Sequence, residues 1–271
     1  VRGQTYADFA WPPALGRLYQ RNGLTLALAL AGGLALFLLL AVLRQGGLGA
    51  LWQTPGAGGF YAVFPHNLMV ALFLPVFGWA VLALTLGVRS FWREEVPGST
   101  SAPALAEATG AALKLTYLGG GHGEGCNNED DAFSLWRRRA HHATFYGFML
   151  CFAATSVATI YHYVLGWQAP YGFNTLPKLL GTVGGISLAL GSAGLAWLNL
   201  RRHPLQGDAA QKPMDLGFIA LLFLVATSGL ALMLSHGNPA FVSLLCLHLG
   251  AVMALFATMP YGKFAHGVYR V

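Results

Sequence analysis

The chain predicts an all-α fold, a polytopic transmembrane bundle of six helices with both termini cytoplasmic. Three observations predict it. The 271 residues are 55% hydrophobic and only 10% charged, where an ordinary soluble domain carries about 25% charge. Six stretches of about 20 residues hold no charged side chain, the length that crosses roughly 30 Å of hydrocarbon. In a chain crossing six times, 14 of the 16 Lys and Arg fall on one side, the side retained in the cytoplasm.

In order, the predicted spans are residues 23–43, 66–88, 140–166, 179–200, 216–235 and 239–259. The first follows a polar, aromatic lead over residues 1–22 ("TYADFAWPPALGRLYQRNG") without a signal-type cleavage site, so this span is expected to stay in the mature protein. The chain opens on Val1, and a segment is expected upstream of it. Residues 23–271 make up the membrane domain. Its single long connection, 89–139, is expected to pass from a Pro/Ser/Ala-rich linker through "LGGGHGEGCNNEDD" to "RRR". The outer connections, 44–65 and 167–178, are rich in Gly, Pro and aromatics, which suits an interfacial layer. Along the fourth span, Gly181, Gly184, Gly185, Gly191 and Gly194 leave faces where a neighbouring helix or a flat cofactor can approach closely.

Only Arg44 and Lys178 fall on the outer side, so the net charge of +6 is a matter of topology and calls for no nucleic-acid partner. All ten acidic residues, from Asp8 to Asp215, are expected on the inside, with no helix carrying a buried carboxylate. That argues against a carboxylate-lined proton path in the membrane. Cys126, Cys151 and Cys246 are too scattered for a disulfide framework or a cluster motif.

Six of the nine histidines are placed where chemistry can use them, while His122, His203 and His236 lie in loops and read as ordinary surface residues. His248 and His266 bound the stretch "HLGAVMALFATMPYGKFAH" and are 18 residues apart, which on a helix is five turns and roughly 27 Å. They would share a face, one near each side of the membrane, although Pro260 and Gly262 are expected to kink or break the helix before His266 and make the shared face approximate. Such a helix offers one axial ligand to each of two stacked haems b, which need imidazole and an apolar slot between helices. The third span supplies partners, His141 and His142 at its inner end and His162 at its outer end. His162 lies at the level of His248, and His141 or His142 at the level of His266. Helical arithmetic favours His141, within roughly 60° of the face of His162, over His142, about 160° away. The expected haem-iron ligands are therefore His141, His162, His248 and His266. His66, which opens the second span, is an alternative outer ligand or a quinone contact. Lys178, Lys212 and Lys263 are candidate contacts to a quinone oxygen or a haem propionate, or interfacial anchors.

"PYGKFAH" resembles the Pro-x-x-Lys-x-x-His ending of the haem-bearing helix in nitrate reductase gamma-type dihaem cytochromes b, with His266 terminal and His248 its partner up the helix. A wider resemblance runs along nearly the whole chain. "TYADFAWP", "FYAVFPHNLMV", "YLGGGHGEGCN", "HHATFYGFMLCFAATSVATIYHY" and "QKPMDLGFIALLFL" resemble the membrane part of the tricarballylate-utilisation protein B (TcuB/CitB) family. That resemblance implies an N-terminal ferredoxin-like domain with two four-iron clusters ahead of the membrane domain, and reoxidation of a flavin-dependent tricarballylate dehydrogenase. This chain lacks the cysteine-rich domain, so the iron–sulfur clusters are expected on a missing segment or a partner.

The resulting expectation is a b-type cytochrome subunit of the bacterial inner membrane, passing electrons from a cytoplasmic iron–sulfur/flavoprotein dehydrogenase to membrane quinone. The "GGGHGEGCNNEDD" loop is the expected docking point for the donor. Two other classes compete: a haem-free membrane anchor for a dehydrogenase, and a histidine-relay transporter. Against the transporter stand the lack of inverted repeats and of buried carboxylates.

Overall fold

The computed structural model describes residues 5, 7–20, 23–54, 59–95, 101–119, 126–127, 133–203, 211–267 and 269. Six long helices carry the fold: α1 (Gly23–Gln45), α2 (His66–Glu95), α3 (Trp136–Tyr163), α4 (Leu176–Arg201), α5 (Lys212–Leu234) and α6 (Phe241–Thr258). Each is long and apolar enough to cross a membrane. Leu- and Ala-rich sequence favours helix, and in lipid a helix satisfies its own backbone groups. Pro177 and Pro213 sit in the first turns of α4 and α5, where no intrahelical N–H is needed. Arg44, Arg93 and Arg201 occupy the last turns of α1, α2 and α4, against the negative ends of the helix dipoles. At Gly46, with φ 85°, α1 stops and the N–H groups of Gly46 and Gly47 return to the Val42 carbonyl at 3.1 and 2.9 Å.

The helices are joined where side chains vanish. α3 lies along α4, and a Cβ added to Gly147 would come within 2.4 Å of the Leu188 nitrogen, while one added to Gly191 would come within 2.4 Å of the Thr144 nitrogen. Gly33 of α1 faces Gly250 of α6, where an added Cβ would stand 2.6 Å from the Gly250 oxygen. α5 packs between α4 and α6, while α1 and α2 both pack on α6. The last helix is thus the central strut. Buried residues make up 61% of its apolar window, against 11–28% in the other five. Phe37, Phe64, Phe241, Leu245 and Cys246 form the outer half of the core. The cysteine serves as a small apolar residue, its Sγ 3.4 Å from the Phe37 carbonyl.

Short elements fill the connections, Leu48–Trp52 and Phe60–Val63 ahead of α2 among them. A short helix, Pro13–Tyr19, brings Tyr19 against Tyr261 beyond the end of α6. A second, Ala102–Lys114, begins at Ser101, whose hydroxyl accepts from the Ala104 N–H at 3.3 Å. Cys126–Asn127 pairs antiparallel with Phe133–Ser134.

Two expectations change, and two left open are resolved. The inner connection is shorter than 89–139, because α2 runs to Glu95 and α3 begins at Trp136. The Pro/Ser/Ala-rich linker is helical over Ala102–Lys114, its alanines outweighing the prolines at its start. Gly184 and Gly191 of α4 are filled by the backbone of α3, so that face receives a helix and not a flat cofactor. Helix α6 ends at Thr258, ahead of Pro260, so His248 and His266 do not share one continuous helix. His122 and most of the glycine-rich loop lie outside the described residues.

The close approaches yield a direct test. Gly250→Leu should force α1 from α6 and lower stability in detergent by about 2 kcal/mol. Gly78→Leu on α2, where an added Cβ meets nothing within 4 Å, should leave the thermal midpoint in place. Equal midpoints for the two variants would refute the packing account.

Candidate functional site

At the inner end, α3 starts about one turn earlier than the sequence suggests, so His141 and His142 are both helical and point about 100° apart. His142 shares a stripe of α3 with Arg138 and Tyr146. Its Nε2 lies 3.1 Å from the Lys114 carbonyl, to which Arg138 Nη2 donates at 3.2 Å, while the Tyr146 hydroxyl donates to Leu113 at 2.9 Å. Those carbonyls close the helix Ala102–Lys114, whose last C=O groups have no intrahelical partner. His142 is thus a strut between the inner connection and α3.

His141 turns to another face, and its ring centre is 5.8 Å from that of His266, the planes at 82°. His266 stands in the tight turn Lys263–Gly267, and its Nδ1 hydrogen-bonds to the Lys263 carbonyl. A histidine held through Nδ1 on a backbone carbonyl is in the form that ligates through Nε2. Two imidazoles holding one metal ion from opposite sides at about 2 Å each have ring centres roughly 6 Å apart. The spacing of His141 and His266 fits such a pair.

Beside this turn lies the group that sequence reasoning placed wrongly. Asp215, in the first turn of α5, is buried at 7% exposure, and its Oδ1 receives Lys263 Nζ at 2.5 Å. A buried carboxylate is tolerable only when paired, and this pairing fastens the His266 turn to α5. Charge alone placed Asp215 among the loop acids, because it stands at the rim of an apolar span. Its partner lies 48 residues away. Lys263 is thereby already committed to a carboxylate, while Lys212 opens α5 at the same rim, half-buried.

At the outer end the histidines pair differently from expectation. His162 stacks on His66 of α2, with ring centres 3.8 Å apart and planes at 22°. Face-to-face rings at that distance leave no room for a metal ion between them. His66 has a tyrosine at each nitrogen, Tyr61 at Nδ1 and Tyr163 at Nε2, both at 2.9 Å. In a neutral imidazole one nitrogen donates and the other accepts, so one tyrosine gives a proton to the ring and the other receives one. Burial, and then the neighbouring Tyr171 and Tyr163, push the Tyr61 hydroxyl above its ordinary pKa and keep it protonated. His162 Nδ1 is buried without a hydrogen-bond partner among the described residues.

His248 faces α5 instead. Its Nδ1 is 3.1 Å from the Ser228 hydroxyl, and its ring lies on Gly229, where an added Cβ would stand 2.9 Å from Cε1. No ring contact joins His162 to His248 among the described residues. Lys178 caps the outer rim, its Nζ 4.8 Å above the Phe173 ring. Tyr61, Tyr163, Ser228 and Gly229 were not legible as site residues, since hydroxyls and glycines are common in such helices and only the fold shows which meet a histidine. Tyr163 alone had a signal, its place next to His162.

The residues fit a dihaem arrangement unevenly: ring spacing suits it at the inner end, where His266 is anchored, while at the outer end His248 is anchored and His162 is stacked on His66. Among the described residues no group of three or more His, Cys, Asp or Glu is placed to hold a metal ion.

The family model CitB, described as citrate utilization protein B, matches residues 17–271. A citrate utilization protein B of Escherichia coli is 56% identical over 270 residues, covering 100% of this chain and 70% of that protein. No solved structure is detectably similar.

The ion pair gives a second test. Lys263→Met should cost more than Asp215→Asn, because the carboxylate side chain is 9% exposed and the ammonium-bearing side chain 33%. The expected losses are about 3 and about 2 kcal/mol. The double variant should lose less than the sum when unfolding is followed in detergent; additive losses would mean that the two side chains act independently.

Proposed function

The chain belongs to the citrate utilization protein B family, and on that premise we propose that it serves citrate or tricarballylate utilisation as a b-type cytochrome electron-transfer subunit. It resides in a bacterial inner membrane and passes electrons from a cytoplasmic dehydrogenase to the quinone pool. The observation that carries this reading is the pair His141 and His266, 5.8 Å apart at the inner rim, with His266 held through Nδ1.

When bound, haem b supplies a one-electron carrier at each end of the bundle. The chain's own part is to hold and orient. His141 and His266 would hold the inner haem, and the Asp215–Lys263 pair fixes the turn that presents His266. At the outer end His248, its ring plane set by Ser228 and Gly229, would be the haem ligand, and His162 would have to leave its stack on His66 to join it. His66, clamped by Tyr61 and Tyr163, backs His162. Lys178 and Lys212 are the rim cations for a propionate or a quinone oxygen. The donor we assign to the inner side is an iron–sulfur domain or subunit of a flavin-dependent dehydrogenase, with its clusters on another segment or chain. It would dock at the connection that His142 ties to α3.

The decisive measurement is the dithionite-reduced spectrum of the purified protein with a haem count per polypeptide. Reduced b-type bands with about two haems are expected, and a colourless protein would sink the reading. His266→Ala should halve the haem content by removing the inner group alone; full retention, or total loss from a folded protein, would overturn the assignment by depth.

The neighbouring histidines divide the roles. His141→Ala should lose the inner haem, whereas His142→Ala should keep it and loosen the inner connection, read as faster proteolysis between residues 95 and 136. The reverse pattern would make His142 the ligand.

A further inference from the structure

Helix α6 ends at Thr258, so the chain that carries His266 is fixed by something other than the helix before it. The Asp215–Lys263 pair ties one point of the turn to α5. The N-terminal lead holds the same chain at points on both sides of His266. Ahead of the histidine, the Tyr261 hydroxyl receives the Trp79 indole N–H at 2.9 Å and donates to the Trp11 carbonyl at 3.3 Å. Tyr19 meets the next residue, Gly262, where an added Cβ would stand 2.7 Å from the phenol oxygen and 3.0 Å from the ring carbon that bears it. Beyond the histidine, the Tyr269 hydroxyl donates to the Phe9 carbonyl at 3.4 Å, and the rings of Phe9, Phe91 and Tyr269 gather with centres 5.2–6.4 Å apart. The lead is itself firmly seated. Its residues Ala10 and Tyr19 are buried, the Trp11 ring centre is 5.3 Å from that of Trp79 on α2, and the Phe9 carbonyl lies against Gly87, where an added Cβ would stand 2.6 Å from it.

From this we infer that the lead is the positioning element of the inner haem ligand: Phe9, Trp11 and Tyr19 bracket the Lys263–Gly267 turn and set where the His266 ring stands relative to His141. The inference rests on the electron-transfer reading, which makes His266 a ligand. An ion pair at Lys263 alone holds the turn at a single point, about which it can swing. Contacts at Tyr261, Gly262 and Tyr269 add the further points that stop the swing, and they reach across from α2 instead of α5. Two imidazoles on one metal ion tolerate little change in separation, because each metal–nitrogen bond is about 2 Å long. The bracket therefore acts where a small displacement matters most. Groups that orient a ligand without touching the metal change its affinity about 10–100-fold when they are removed.

The test uses the full chain purified in detergent and loaded with haem. Tyr19→Ala, which empties the contact on Gly262, should lower haem affinity at the inner end about tenfold. It should also move the low-spin ferric EPR signal of that haem, whose position follows the angle between the two axial rings, and leave the signal of the outer haem in place. Tyr19→Phe, which keeps the ring on Gly262, should restore both. An unchanged inner signal in folded Tyr19→Ala would overturn the inference, as would equal shifts at both haems, the mark of a fold that has merely loosened. Should Tyr19→Ala fail to fold, Gly262→Ala disturbs the same contact from the other side and carries the same expectations. A second measurement needs no haem. The amides of Tyr261, Gly262 and Ala265 are hydrogen-bonded to the carbonyls of Thr258 and Gly262, and their hydrogen exchange should quicken in Tyr19→Ala while the amides of α6 keep their protection. Exchange quickened equally along α6 would overturn the bracket. Local quickening in a protein without b-type bands would defeat the electron-transfer reading and leave the bracket standing.

Discussion

Inside a bilayer, helices gain nothing from hiding apolar surface from one another, and what holds them is backbone brought against backbone. Here that constraint is met at a few glycines. Gly33 and Gly250 seat α1 on α6, and Gly147, Gly184 and Gly191 seat α3 along α4. Those two contacts fix the helices that carry His141, His162 and His248. With α5 between α4 and α6, the histidine-bearing helices form one assembly whose spacing is set by main-chain contact and not by flexible side chains.

The two ends of that assembly are built on different principles. The inner end is ionic: a lysine and a histidine three residues further on share one short turn, and a buried carboxylate on α5 holds that lysine, so the ring follows the ion pair. The outer end is aromatic: two imidazoles stack, with tyrosines flanking them. Charge in a low-dielectric rim fixes position strongly but demands a partner. Stacked rings fix orientation with little charge and can separate when something else competes for a nitrogen.

The sequence was most legible where one physical rule acts alone. Length and absence of charge located the six spans, because hydrocarbon thickness admits few alternatives. The helical arithmetic that separated His141 from His142 agrees with their placement, since both lie within one regular helix. The same arithmetic is only approximate between His248 and His266, where the break expected at Pro260 ends the regularity on which it depends. It could not have found Asp215 with Lys263, Ser228 with His248, or His66 with His162, because each pairing joins different helices and their rotation is decided by glycine contacts. The inner connection was misjudged for a simpler reason: prolines at its start drew attention from the alanines that follow, and Pro is well tolerated in a first helical turn.

The unequal lengths of the helices shape the whole molecule. α6 has 18 residues, roughly 27 Å of rise, and α2 has 30, roughly 45 Å. A hydrocarbon layer about 30 Å thick matches the rise of the first and is exceeded by that of the second, so α2 must either tilt or carry about three turns beyond the layer.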